Sequence, residues 1–263
     1  MITLNTTAPV AHAGLLGLGV FRPERIVTND EICQKIDSND EWIQERSGII
    51  ERRHADAHET VVTMATAAAL AALADAGISP EQLDMVMIAT VTHRYQTPSA
   101  AVEVAAAIGA VNAAAIDSSA ACAGFCYGLG IADGMIRSGV AKYILLIGAE
   151  KLSEIVNFED RGTAFLFADG AGAVIIGETK VQGIGPTIWG ADGTQLDAII
   201  MEPDVFTAEK TGNPSVLTMQ GQQVFRWAVG QMGDACTQAM TAAGVSVADL
   251  AAFVPHQANN RIT

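Results

Sequence analysis

The residues ALADAGISPEQLDMVMIA, Ala72 to Ala89, recur in altered form as AMTAAGVSVADLAAFVPH, Ala239 to His256. In each copy a helix ends in Ala-Gly, at Gly77 and at Gly244, and an aliphatic residue and a serine follow. A leucine six residues past the glycine, Leu83 or Leu250, then leads into an apolar run that reads as a strand. Helix, glycine, turn and strand form a common unit, so the match also reads as coincidence of local structure. Read as a duplication, it has a consequence for length. The two glycines lie 167 residues apart, and the first copy runs on from Val91 to about Gly177. The second would then reach about residue 344, whereas the chain ends at Thr263. The expectation is two similar halves, residues 1–180 and residues 181–263, the second incomplete.

Outward from the first copy the punctuation is regular. An alanine-rich helix is expected from Glu59 to Ala76, closed by Gly77, a second from Pro98 to near Gly109, and a third from Ala123 to Ser138, closed by Gly139. Capping-box spacing at Thr28 and Glu31, at Ser38 and Glu41, and at Ser79-Pro80 with Gln82 predicts three short to medium helices. Aliphatic and β-branched runs at Asp84–Val91, Ala113–Ser118, Tyr143–Gly148 and Ala171–Gly177 predict strands between the helices. Strands alternating with helices imply an α/β protein with a largely parallel sheet covered on both faces. The glycine run GLLGLG at Gly14 to Gly19 leads into Pro23 rather than a helix, so it is not a dinucleotide fingerprint.

Composition bounds the partners. Half of the 263 residues are apolar and 17% are charged, as expected of a globule with a sizeable core. Lys and Arg total 15 against 29 Asp and Glu, a net charge of −14 that disfavours nucleic acid and anionic membrane as general partners. Four cysteines (Cys33, Cys122, Cys126, Cys236) make no dense disulfide framework and no CxxC metal pair. No cationic segment precedes the apolar N-terminal stretch, and no charge-free apolar run reaches the ~18 residues of a membrane span. The chain reads as soluble and cytoplasmic, with reduced thiols.

Two residues stand out chemically. In AAAIDSSAACAGFCYGLG, Cys122 follows an expected strand and precedes an expected helix, where unpaired N–H groups and the helix dipole favour a thiolate nucleophile. A buried, inert cysteine fits the alanine-rich window equally, and Cys126 at i+4 reads as packing, with a redox or metal pair as the alternative. His256, in FVPHQANNRI, is expected directly after a short strand, at the kind of strand end that lines the ligand crevice of α/β proteins. Duplication would bring its strand end near that of Cys122. A solvated loop histidine is the simpler alternative.

These segments carry a resemblance. DSSAACAGFCYGL resembles the active-site cysteine segment, and FVPHQANNRI the histidine segment, of β-ketoacyl-acyl carrier protein synthase III. NDEWIQERSGI (Asn39–Ile49), the DRGT run (Asp160–Thr163) and FADGAGAVIIG (Phe167–Gly177) are also similar. The resemblance implies a thiolase-like fold, a duplicated αβαβα sandwich whose second half is here incomplete, usually a homodimer. It implies that Cys122 takes an acyl group from acyl-CoA and that malonyl-acyl carrier protein then condenses with it by decarboxylation, initiating fatty acid biosynthesis. No cofactor or metal is implied, the CoA thioester being a substrate. His256 would donate a hydrogen bond to the malonyl thioester carbonyl. Trp42, Arg46 and Arg161 would hold the adenine and phosphates of CoA, with Ser38 and Asn259 lining the same channel. The i, i+4 spacing of Trp42 and Arg46 suits this, although a surface cation–π pair has the same spacing. Arg226 and Arg261 would meet the acidic carrier protein, a solvated role being the alternative for each. Thr97 falls where several short-chain members close the acyl pocket with an aromatic, which implies room for a longer chain.

The resemblance also implies features not found in these 263 residues: a Gly-Asn-Thr-Ser segment with a catalytic asparagine, and a glycine-rich loop that supplies an oxyanion donor. Two alternatives therefore stand beside an active synthase: a non-catalytic, acyl-CoA-binding relative, and another acyltransferase of the thiolase superfamily.

Overall fold

The computed structural model describes residues 7–262. The first elements are β1 (Ala13–Phe21), β2 (Ile26–Thr28), α1 (Asn29–Cys33), α2 (Asp40–Ser47), β3 (Glu51–Arg53) and α3 (Val61–Ala76). Then come β4 (Met85–Ala89), α4 (Ala100–Ile108), β5 (Ala114–Ser118), α5 (Gly124–Arg137), β6 (Tyr143–Lys151) and β7 (Asp169–Glu178). The last are β8 (Ile199–Glu202), α6 (Val205–Thr211), β9 (Val216–Met219) and α7 (Gly221–Ala243). The described residues form two compact units, residues 7–23, 55–150 and 170–187 in one, and residues 24–54, 151–169 and 188–262 in the other.

The first unit is built on a five-stranded sheet in the order β1-β7-β6-β4-β5. β4 pairs parallel with both β5 and β6, as the alternation of strands and helices predicts, but β1 pairs antiparallel with β7 and makes the sheet mixed. One face is covered by α3 and α4, whose alanines meet Val86, Ile88, Leu145 and Ile147. The other carries Met87, Ile144, Leu146 and Ile176 against Ala132 and Ile136 of α5. Alternate residues of β4 and β6 thus serve opposite faces, and all of β4 is buried.

The glycine run missed as a strand is β1. A Cβ on Gly19 would lie 2.0 Å from the Ala68 carbonyl oxygen, and one on Gly17 2.5 Å from that of Ala72. Glycine lets strand and helix backbones approach where any side chain would collide.

The helix stops hold. Gly77, Gly109, Gly139 and Gly244 adopt φ of +66°, +83°, +74° and +70°, the left-handed cap that a Cβ disfavours. Two start signals need correction. Ser38 does not cap α2; Asn39 does, its side chain accepting from the Trp42 N–H at 2.8 Å, because an asparagine one residue later reaches the third N–H of the helix as well as a serine would. Ser79-Pro80-Gln82 makes its capping box on a single 3₁₀ turn, Pro80–Gln82, rather than on a helix.

In the second unit β2 and β3 form an antiparallel ribbon whose core holds Val27, Ile32, Ile43 and Phe165. Buried Arg52 spans the ribbon, donating to the Val27 carbonyl at 3.1 Å and to Asn29 Oδ1. β8 and β9, joined through α6, form an antiparallel pair that the residue pattern did not announce, and α7 follows. The apolar run before His256 is not a strand. Phe253 and Val254 are 59% and 83% exposed, and among the described residues no strand lies beside the run to take its backbone hydrogen bonds.

Candidate active site

Cys122 lies in the first unit, on a 3₁₀ turn (Ala121–Ala123) between β5 and α5, at the carboxyl end of the parallel strands where α/β folds open their ligand crevice. Ala121, immediately before it, has φ +44°, a left-handed conformation costly for a residue with a Cβ. The turn is seated tightly: a Cβ on Gly124 would come within 2.7 Å of the Ala89 Cβ at the end of β4. The expected depressed thiol is a correction. Burial pushes Cys122 above the ordinary cysteine value, and Glu150 adds to this, against the partial pull of its own backbone N–H. At the mouth of a helix the dipole is outweighed by loss of water and a nearby negative charge.

Glu150 went unremarked in the sequence because it lies beyond the aliphatic run Tyr143–Gly148, in the last two residues of β6. It accepts from the Val91 N–H at 2.9 Å, from Thr90 Oγ1 at 3.2 Å and from Thr92 Oγ1. Burial raises its carboxyl, and these hydrogen bonds act against that. Thr97 is exposed in the loop between β4 and α4.

The second unit assembles most of the other expected residues around one cavity of about 540 Å³, lined by Trp42, Arg46, Phe225, Arg226, Asn259 and Arg261 among others. The Arg161 guanidinium carbon lies 4.3 Å from the Trp42 ring centroid and that of Arg46 5.7 Å. Phe165 meets the Trp42 ring edge-on at 5.7 Å, which fixes the indole from its buried side. Capping by Asn39 starts the helix so that Trp42 and Arg46 share a face, as their spacing predicts.

Arg261 lies over Phe225 at 5.0 Å, and Asn259 accepts from the Arg261 N–H at 2.9 Å. The Asn260 N–H bonds the Ser47 carbonyl at 3.0 Å, and only a glycine at 48 leaves room for the Asn260 amide, which a Cβ would meet at 2.1 Å. Arg226 and Arg261, expected on a separate carrier-protein patch, thus share a cavity with Trp42 and Arg46. Phe225 and Phe165 are among the cavity residues that motif reading missed. Ser38 is half-buried, its hydroxyl without a hydrogen-bond partner among the described residues. His256 is exposed, in irregular backbone.

The arrangement offers a planar aromatic and cationic platform suited to a purine and phosphates, and, in the other unit, a cysteine presented on a strained strand-to-helix turn. Among the described residues no group of three or more His, Cys, Asp or Glu could hold a metal, and no helix is long and apolar enough to cross a membrane.

Comparison with known proteins agrees. The family model for 3-oxoacyl-[acyl-carrier-protein (ACP)] synthase III matches residues 116–193. The mycobacterial β-ketoacyl-[acyl-carrier-protein] synthase III of Mycolicibacterium paratuberculosis is 49% identical over 264 residues, spanning 100% of this chain and 79% of the relative. The priming β-ketosynthase of the R1128 polyketide biosynthetic pathway superposes with a TM-score of 0.96 at 42% identity, over 98% of this chain and 78% of that one. The 3-oxoacyl-[acyl-carrier-protein] synthase III of Aquifex aeolicus gives 0.87 at 40%, over 95% and 78%.

Proposed function

The chain belongs to the β-ketoacyl-acyl carrier protein synthase III family, an acyltransferase family with a thiolase-like α/β fold that initiates fatty acid biosynthesis, and on that premise we propose how its residues divide the reaction. Cys122 is the acyl acceptor. Its sulfur attacks the carbonyl carbon of an acyl-CoA thioester, the C–S bond to CoA breaks, and the thiol proton ends on the departing CoA sulfur. Malonyl-acyl carrier protein then loses CO₂, and the carbanion so formed attacks the acyl-cysteine, forming a carbon–carbon bond and releasing the Cys122 thiolate. His256 donates a hydrogen bond to the malonyl thioester carbonyl and steadies the enolate. No cofactor enters: the CoA thioester is consumed as substrate.

The observation that carries this reading is the Cys122 turn, which presents the cysteine at the carboxyl end of β5 with its helix seated on Ala89. The Trp42, Arg46 and Arg161 platform supports adenine and phosphate binding, with Asn259 and Ser38 as channel residues. Arg226 and Arg261 supply local positive charge for an acidic carrier protein on a chain of net charge −14. The protein works in the cytoplasm as a homodimer, a reading supported by the half-exposed edge strand β5, whose Ile116 is 40% exposed. The repeat assigns residues 1–180 to a cysteine-bearing half and residues 181–263 to a histidine-bearing half. Thr97 leaves the acyl site open to longer primers.

A condensation assay with malonyl-acyl carrier protein and primers of two, four, eight and twelve carbons tests this reading. Product from the longer primers is expected. Strong preference for acetyl-CoA would overturn the assignment of Thr97, and CoA binding with no product from any primer would favour a non-catalytic relative.

A further inference from the structure

Three donors from one short turn converge on a single carboxyl beside the nucleophile. Glu150, next to last in β6, accepts from Thr90, Val91 and Thr92, the three residues that follow β4. Both threonines are buried. The same stretch underlies the cysteine turn: Ala89 meets Gly124, two residues after Cys122, and the Thr90 N–H bonds the Ser118 carbonyl at the end of β5 at 3.3 Å. Desolvating a carboxylate to hold one turn is costly, since an amide or a well-packed apolar residue could serve at lower cost. Its retention beside a nucleophile points to a use for the charge.

We propose that Glu150 is a positioning residue for Cys122, its carboxyl tying the Thr90–Thr92 turn beneath the cysteine turn. The proposal rests on the reading of Cys122 as acyl acceptor and extends it to the control of that thiol. Within its unit, Glu150 is the charged group that acts on the Cys122 sulfur, in the same direction as burial. Thr90 and Thr92, which face the carboxyl, carry no charge of their own. The carboxyl thus acts with burial to disfavour the thiolate of the resting sulfur.

The test is the pH dependence of Cys122 alkylation by iodoacetamide in the full chain, read site by site by mass spectrometry, with Cys33 and Cys236 as internal references. Glu150→Gln keeps the size and removes the charge. Its Cys122 profile should move to lower pH, with alkylation at pH 7.5 faster by about three- to tenfold, while the reference cysteines are unchanged. Glu150→Asp, which keeps the charge, should stay near wild type. Thr92→Val, isosteric and one donor poorer, makes the neutral carboxyl more favourable and should move the profile the same way by less. It carries the test should Glu150→Gln fail to fold. A folded variant of either kind with the wild-type profile, or a shift to higher pH, would overturn the proposal. Because alkylation needs no acyl substrate, such a failure is distinct from failure of wild-type Cys122 to take an acyl group from acyl-CoA.

Discussion

The guanidinium carbon of Arg161 lies 4.3 Å from the centroid of the Trp42 ring, closer than Arg46 from the same helix at 5.7 Å. The residue distant in sequence therefore makes the tighter stack. A cation–π contact is worth about 0.5–2 kcal/mol, and the same groups are assigned to CoA. Arg161→Ala and Trp42→Ala should each weaken CoA binding by about three- to thirtyfold in isothermal titration. Cys122 alkylation should be unaffected. Unchanged CoA affinity in both variants would remove the platform from the site.

Arg226 and Arg261 bear on the second substrate. Charge reversal at either should lower kcat/KM for malonyl-acyl carrier protein by about tenfold at low ionic strength, and the gap to wild type should narrow as salt is added. Equal loss at all salt concentrations would indicate a packing role within the cavity.

Gly19 tests the fold. The backbone atoms of α3 that a Cβ would strike cannot swing aside, so Gly19→Ala should destabilise by about 1–3 kcal/mol or more and lower Tm by about 2–4 °C per kcal/mol for a chain of this size. Gly190, around which a Cβ would meet nothing within 4 Å, should accept alanine without such loss.

His54 is buried against Phe158, with ring centroids 5.5 Å apart. Burial holds it below its ordinary value of 6.5, with Asp169 pulling the other way. The unfolded chain therefore binds the proton more readily than the folded one, and stability rises with pH across the window. The contribution is whole above about pH 6.5 and is lost as pH falls from there towards the depressed folded value. Thermal melts from pH 7.5 to pH 5 should show a smaller loss of Tm for His54→Gln than for wild type. Parallel curves would show that His54 does not titrate in this way.

Much of this was legible before the fold was known because local chemistry decides it. The glycines at 77, 109, 139 and 244 stop helices by a conformation that other residues resist, and Trp42 and Arg46 share a face by spacing alone. What escaped is set by distant residues. β1 reads as a glycine run until α3 is laid against it. The segment before His256 has a strand's composition but, among the described residues, no neighbouring strand. The Cys122 thiol is raised by burial first and then by Glu150, 28 residues on, neither visible in a motif whose local geometry argues the opposite. The three-arginine lining of the second unit's cavity likewise depends on α2, the DRGT segment, α7 and the turn at Arg261 coming together.

The central claim is that Cys122 carries the acyl group. Intact-mass and peptide mapping after incubation with an acyl-CoA should find one acyl group, on Cys122, that disappears with formation of β-ketoacyl product when malonyl-acyl carrier protein is added. Cys122→Ser should lower turnover by on the order of 10³-fold or more while still binding CoA. CoA bound reversibly with no acyl group on Cys122, or an acyl group on Cys126 instead, would contradict the account.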